Sequence, residues 1–214
     1  MYRPVAFRED DLDRIDELIR DHPLGVLITS GAEGVKANLL PFFLVRDGQG
    51  FVLKAHLARA NEQTADLANG GEAVVMFLGP SAYVSPSFYP TKAETGRVVP
   101  TWNYAAVEAR GTPKLMDDPV WLRTQIEDLT RRQEGGRSNP WAVGDAPGDY
   151  IDTMMRAIIG LEITLTSLEG KWKVSQNQPE ANRLGVIDGL KAESNSAAMA
   201  DLVKGYLTGQ RSGA

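Results

Sequence analysis

A chain of 214 residues, 43% hydrophobic and 24% charged, is long enough for one well-developed core and short for two. Its formal net charge of -5 disfavours a surface built mainly to bind phosphate, and the absence of cysteine excludes disulfides, zinc–thiolate sites, iron–sulfur clusters and thiol catalysis. The N-terminus carries acidic residues early, and no run reaches the length of a membrane span, so the expectation is a cytoplasmic protein with no secretory signal and no membrane anchor.

The first element is a helix. Asp10 and Asp11 can cap it, Leu12, Ile15, Leu18 and Ile19 form its apolar stripe, and His22-Pro23 ends it. Three short apolar runs follow, "LGVLITS", "VKANLLPFFLV" and "FVLKAHLA", separated by the turn-rich "GAEG" and "DGQG". A short polar helix, "NEQTADLANGG", leads into the strand "EAVVMFLG", then "AYVSPSFY" and a long segment from Val98 to Met116. Pro86 and Pro90 mark that middle stretch as an edge or irregular strand.

Asp117-Asp118-Pro119 starts the next helix, "VWLRTQIEDLTRRQE", which stops at Gly135-Gly136. The stretch from Gly135 to Gly148 reads as a mobile loop. A helix "YIDTMMRAII" ends at Gly160, "LEITLTSLEGKWKVSQN" reads as a hairpin, and two weaker helices cover about Pro179 to Ala192 and Ala197 to Leu207. Some seven or eight closely spaced strands, with helices before and after them, predict an α+β, mainly β fold: an antiparallel barrel and not a doubly wound sheet. One domain over residues 1–214 is expected, with a helical C-terminal extension over about 178–214.

Much chemistry is missing. With His22 and His56 as its only histidines, the chain shows no metal-ligand spacing, no G-x-S-x-G elbow, no phosphate loop and no dinucleotide fingerprint. No catalytic residue and no metal site is therefore assigned. What remains is an anion cradle in "KAHLARANEQTADL", where a strand end precedes a helix start and His56, Arg59 and Asn61 stand together. The competing reading pairs Arg59 with Glu62 or Asp66 on the surface. In "PSAYVSPSFYPTK", Ser85 offers a hydroxyl and Lys92 a positive charge, or a solvated loop lysine.

The hexapeptide "VPTWNY" places Trp102 and Tyr104 on one face of a strand and Asn103 on the other. A flat ligand needs apolar contact on its faces and amides at its heteroatom edge, and both kinds of group are present; two core aromatics fit the pattern equally well. "EGKWKVSQN" repeats the theme with Lys171, Trp172 and Lys173.

"MYRPVAF", "HLARANEQ", "GPSAYVSPSFY", "VPTWNY" and "LEGKWKVSQN" occur in an order that resembles the PaiB family of FMN-binding negative transcriptional regulators. The resemblance spans nearly the whole chain. It implies a split β-barrel related to pyridoxamine-phosphate oxidases and flavin reductases, and a homodimer with FMN near the subunit interface. It further implies His56, Arg59 and Asn61 on the flavin phosphate and Trp102 and Asn103 on the flavin or the interface. This chain reads Asn38-Leu39-Leu40-Pro41 where the family has Thr-His-Leu-Pro, Asn61-Glu62-Gln63-Thr64 for Asn-Pro-Gln-Trp, and Phe88 for the Trp after Ser-Pro-Ser.

The expectation is an FMN-binding repressor of this type, with DNA carried as a further partner. The basic residues Arg123, Arg131, Arg132 and Arg137 either touch phosphates or form a solvated helix end. Two alternatives stay open. One is an FMN-dependent oxidoreductase drawing on a nicotinamide. The other is a split-barrel dimer with a degenerate ligand site, kept alive by Asn38, Leu39 and Glu62.

Overall fold

Tight turns and short apolar runs dominate the first half of the chain and generate hairpins, while most of the helices start at an Asp or a Pro. The computed structural model describes residues 1–48 and 50–207. In chain order the elements are β1 (Arg8–Glu9), α1 (Leu12–Asp21), β2 (Leu24–Gly31), β3 (Gly34–Pro41), β4 (Phe43–Arg46), β5 (Phe51–Ala58), α2 (Gln63–Ala68) and β6 (Ala73–Val84). Then come α3 (Thr91–Thr95), β7 (Thr101–Met116), α4 (Pro119–Glu134), α5 (Gly148–Arg156), β8 (Ile158–Lys173), α6 (Glu180–Ala192) and α7 (Ala197–Leu207). Single 3-10 turns lie at Val5–Phe7, Pro86–Phe88 and Val143–Asp145.

The sheet runs β3-β2-β6-β7-β8-β5-β4, with β1 added on β8. The pairings β2–β3, β2–β6, β4–β5, β5–β8 and β1–β8 are all antiparallel. This is the mainly β, antiparallel architecture that the spacing of the strands predicted. Among the described residues no helix is long and apolar enough to cross a membrane.

The chain forms two compact units. One comprises His22–Phe77 and Glu108–Leu168 and holds β2 to β5, α2, α4 and α5. Its core is built on Leu27, Phe42, Leu53, Phe77, Leu161 and Ile163, all buried, with Phe42 and Phe77 edge to face at 5.9 Å. A glycine sets one strand spacing: a Cβ at Gly111 on β7 would stand 2.2 Å from the Thr164 carbonyl oxygen on β8.

The other unit comprises Met1–Asp21, Leu78–Val107 and Glu169–Ala214, with α1, α3, α6 and α7. Ile15 and Ile19 of α1, Trp172, Val186 and Leu190 of α6, and Met199 and Val203 of α7 are buried there. Gly189 of α6 lies so close to the Phe88 ring that an added Cβ would meet it at 2.3 Å. The C-terminal helices are therefore part of this unit's core. Tyr206 near the end of α7 donates its hydroxyl to the buried Glu9 carboxylate, which also accepts from Arg14 Nη1 at 3.0 Å and from the Asp11 amide at 3.0 Å.

Several elements differ from the sequence expectation. "LEITLTSLEGKWK" lies in one continuous strand that ends at Lys173, not in a hairpin, and "VSQN" follows as a turn. Its Gly170 pairs with Glu9 of β1, and a Cβ there would stand 2.7 Å from the Glu9 carbonyl. The helix before it stops at Arg156, because the β-branched Ile158 and Ile159 already pair with Ala58 and Leu57 of β5. "AYVSPSFY" is not an edge strand: β6 runs through to Val84, and Ser-Pro-Ser-Phe closes a 3-10 turn capped by Ser85. Asp11 alone caps α1, accepting from the Asp13 amide at 3.0 Å, while Asp10 bonds Arg3.

Two outcomes follow from this packing. Gly111→Ala forces β7 away from a neighbouring backbone carbonyl and is expected to destabilise the protein by about 1–3 kcal/mol in urea unfolding. Burial, with the Glu9 carboxylate beside it, raises the Tyr206 phenol far above its ordinary value. The folded state thus keeps that proton where the unfolded chain releases it. Stability is fully present below about pH 10 and falls as the pH rises further. Tyr206→Phe is expected to flatten that fall in a Tm-against-pH series.

Candidate functional site

The corner between β5 and α2 is built from the top of an antiparallel strand and a helix that begins four residues later. Asn61 caps α2 by accepting from the Gln63 amide at 2.9 Å, and the Thr64 hydroxyl returns a 2.8 Å bond to the Asn61 carbonyl. Gln63 is fully buried. Its amide nitrogen donates to the Leu27 carbonyl, the Lys36 carbonyl and Thr29 Oγ1, each at 3.2 Å, and its amide oxygen accepts from Asn38 Nδ2 at 2.9 Å. Asp66, one turn on, accepts from Thr29 Oγ1 at 3.1 Å and lies 3.5 Å from Lys36 Nζ. The helix is thus clamped to β2 and β3 by polar groups removed from water, where each bond left unmade is costly.

The three cradle residues occupy this corner in distinct ways. Arg59 is part-exposed, with Nε on the Arg156 carbonyl at 3.0 Å and both terminal nitrogens on the Asp117 carboxylate. That hydrogen-bonded pair raises the Arg59 pKa and lowers that of Asp117. The partner is neither Glu62 nor Asp66, because Asp66 is consumed by Thr29 and Lys36. The Asp117-Asp118-Pro119 helix start contains the signal: only Asp118 caps α4, through the Val120 and Trp121 amides, which leaves Asp117 for another cation. His56 faces α4, its Nδ1 2.8 Å from Gln125 Oε1, while Gln125 Nε2 is buried without a partner. Next to it, Lys54 and the Trp121 indole nitrogen share the Glu162 carboxylate at 3.1 and 3.0 Å.

The residues on the other unit divide by face. Trp102 is 57% exposed and Asn103 is 1% exposed, so the rings of "VPTWNY" look outward and the amide inward. That decides between core and surface: Trp102 is not a core aromatic. It meets Tyr83 edge to face at 6.0 Å. Asn103 is locked by Ser175, whose hydroxyl accepts from Nδ2 at 2.9 Å, and Ser175 holds the left-handed conformation at φ 63°. Ser85 spends its hydroxyl on Ser87, at 2.7 Å to Oγ and 3.2 Å to the amide. Lys92 is exposed on α3. Of the candidates, His56, Arg59 and Asn61 fall in one unit and Ser85, Lys92, Trp102 and Asn103 in the other.

By its own chemistry the β5–α2 corner can take a phosphate, and in the other unit Trp102 can take a flat apolar surface. Arg59 keeps a guanidinium at the surface whose only carboxylate is 66% exposed, and such a pair exchanges readily for a stronger anion. Trp102 offers an open ring face. Asn103 and Ser85 are occupied by internal bonds and act on the backbone around them. Three of the four arginines near α4 are held by acids: Arg123 by Glu127, Arg131 by Asp128 and Arg137 by Glu134. Arg132 lies over the Phe43 ring at 4.7 Å.

Comparison with known proteins bears on this arrangement. Residues 1–167 match the family model described as "Putative FMN-binding domain". An uncharacterized protein of Emericella nidulans, AN0679, is 37% identical, covering 89% of this chain and 90% of its own. The Bacillus subtilis protease synthase and sporulation protein PAI 2 is 27% identical over 98% of this chain and 100% of its own length. Among solved structures, the FAD and heme binding protein from Mycobacterium smegmatis superposes with a TM-score of 0.56 at 18% identity, covering 78% of this chain and 73% of that one. The likeness bears on the fold alone, an antiparallel split β-barrel with peripheral helices.

The clamp under α2 has a measurable consequence. Gln63→Leu keeps the volume but removes the donor from the Leu27 and Lys36 carbonyls and from Thr29 Oγ1, while the exposed Asn38 amide turns to water. It is expected to destabilise by about 1–3 kcal/mol in urea unfolding, whereas the exposed Glu62→Gln changes stability by under about 0.5 kcal/mol.

Proposed function

Because the chain belongs to the family of this FMN-binding domain, with FMN as its cofactor, we propose that it is a flavin-binding negative transcriptional regulator of the PaiB type that works as a cytoplasmic homodimer. The observation that carries the reading is the extent of the match. The family region takes in both the β5–α2 corner and the outward Trp102, and the Bacillus relative is similar from end to end. FMN, when bound, supplies a reversible redox centre and a phosphate dianion.

The chain's own residues divide the labour of holding it. Arg59 exchanges Asp117 for the phosphate, and Asn61 keeps the corner shaped by capping α2. His56, oriented by Gln125, presents its second ring nitrogen at the same corner. Trp102 covers a flat apolar surface, either the ring system or the second protomer, and Asn103 and Ser175 hold the strand that carries it. The departure from the family pattern at Asn38 is met by Gln63, which matches that pattern and accepts from the Asn38 side chain, so it supports the corner instead of eroding it. Regulation follows from the ligand, with FMN binding or its redox state changing the dimer that meets the promoter. The pairing of Arg123, Arg131 and Arg137 with acids leaves α4 a poor phosphate platform, which makes direct DNA contact through that helix the weakest part of the reading.

The test is an FMN titration followed by visible absorbance and flavin fluorescence. One FMN per chain is expected, with affinity falling about tenfold or more in Arg59→Ala while the Tm stays unchanged. Saturable binding indifferent to Arg59→Ala would overturn the phosphate assignment, and no binding at all would overturn the flavin reading. Derepression of a reporter on deletion of the gene, restored by wild type but not by an FMN-free variant, is the expected regulatory outcome.

A further inference from the structure

Two sequence motifs that the flavin corner does not use, "MYRP" at the start and "KWK" on β8, come together in one unit and make a surface with an unusual charge balance. Lys171 and Lys173 are two residues apart on one strand, so both ammoniums project from the same face, about 7 Å apart along the chain. Trp172 between them points the other way and is buried. Lys171 is only 8% exposed. Its ammonium lies 5.2 Å from the Tyr104 ring centroid and 5.5 Å from that of Tyr2. Lys173 donates to Thr101 Oγ1 and, at 2.7 Å, to the Trp102 carbonyl.

Neither ammonium has a carboxylate. Among the described residues no Asp or Glu stands within 4.0 Å of either Nζ or of the Arg8 guanidinium, and Arg8 is the cross-strand partner of Lys171. The acid nearest in sequence on the same face, Glu169, is consumed by Arg3 at 3.4 Å and by the N-terminal ammonium at 3.5 Å. Three like charges meet across one strand pair, an arrangement that costs stability. Burial and the neighbouring Lys171 charge together lower the pKa of Lys173, the mark of a cation short of counter-charge.

Several other sheltered cations of this chain are paired with acids. Arg14 has Glu9, Lys54 has Glu162 and Lys36 has Asp66. A merely structural lysine at 171 or 173 would follow that practice, or be replaced by an apolar residue of similar volume. Two aromatic rings of this unit are open as well: Tyr2, whose ring lies over Lys171, is 82% exposed, and Trp102, whose carbonyl accepts from Lys173, is 57% exposed. Cations without acids, flanked by exposed aromatic faces, complement a molecule that brings a negative charge and a flat apolar body.

We propose that Lys171 and Lys173, with Arg8, Tyr2, Tyr104 and Trp102, form a binding site for a small aromatic carboxylate. The carboxylate bridges the two ammoniums, and the ring of the ligand lies on the exposed aromatic side chains. The site shares no charged group with the β5–α2 corner; Trp102 is the residue it has in common with the proposed flavin-holding set. As an effector site it would give the regulator an input of its own.

The experiment is isothermal titration of the full chain with sodium benzoate, with and without saturating FMN, and with acetate and inorganic phosphate as parallel probes. One saturable benzoate site per chain is expected. Its affinity should fall about tenfold or more in Lys171→Gln and in Lys173→Gln, stay unchanged in Arg59→Ala, and weaken with added salt. Acetate, lacking the ring, should bind about tenfold more weakly than benzoate. Lys173→Gln removes an uncompensated charge and should leave the Tm unchanged or higher, so a loss of binding there is not a loss of folding. No saturable benzoate binding, or affinity in both lysine variants unchanged from wild type, would sink the proposal. Phosphate binding as well as benzoate would refute the aromatic carboxylate class. Displacement of benzoate by FMN, with weaker FMN binding in the lysine variants, would assign these cations to the flavin and refute a separate site; the FMN titration itself reads out independently.

Discussion

The fully buried amide of Gln63 is the contact on which the β5–α2 corner depends. A six-residue helix has little stability of its own, since nucleation costs more than one or two turns return. Gln63 supplies what the short helix lacks. It reaches backbone carbonyls on β2 and β3 that have no water to turn to, so any displacement of α2 leaves several polar groups unpaired together. Asp66 and Lys36 close the same seam one turn further on. The consequence is a rigid corner, and Arg59, Ala60 and Asn61 inherit their positions from it.

Counter-charge is distributed unevenly over the molecule, and the unevenness separates scaffold from site. Glu9 collects Arg14, the Asp11 amide and the Tyr206 hydroxyl, fastening α1 and α7 into one core. Glu162 collects Lys54 and Trp121 beneath α4. These acids are satisfied on every side and have no capacity left for a ligand. Among the described residues Arg59 is held by one exposed acid, and Lys171 and Lys173 by none, so these cations can answer an incoming anion. Under this logic a chain that is acidic overall can still present local positive sites.

Strand and helix identity was largely legible in the sequence because both depend on short-range patterns. Short apolar runs between turn-rich connections marked β2 and β5, the Asp-Pro start marked α4, and the stripe of Ile15, Leu18 and Ile19 marked α1. Where the reading failed, a distant partner had overruled a local signal. "SLEG" looks like a turn, yet β1 lies alongside it and Gly170 lets the two backbones close, so β8 runs straight through. The prolines of "SPSFY" suggested an edge strand. The segment instead forms a capped turn whose Phe88 fills the space left by the glycines of α6.

The site shows the same division. The sequence by itself determined which side chains are available: Arg59 and Asn61 beside a helix start, two rings and an amide alternating at 102 to 104, two lysines around Trp172. Periodicity alone placed Trp102 and Asn103 on opposite faces, because a strand permits nothing else. Only the tertiary structure decided which face is outward, that Arg59 meets Asp117 and not Glu62, and that Tyr2 returns over Lys171 after a separation of some 170 residues. Those are long-range choices, set by which surfaces exclude water from each other, and no local window of sequence carries that information.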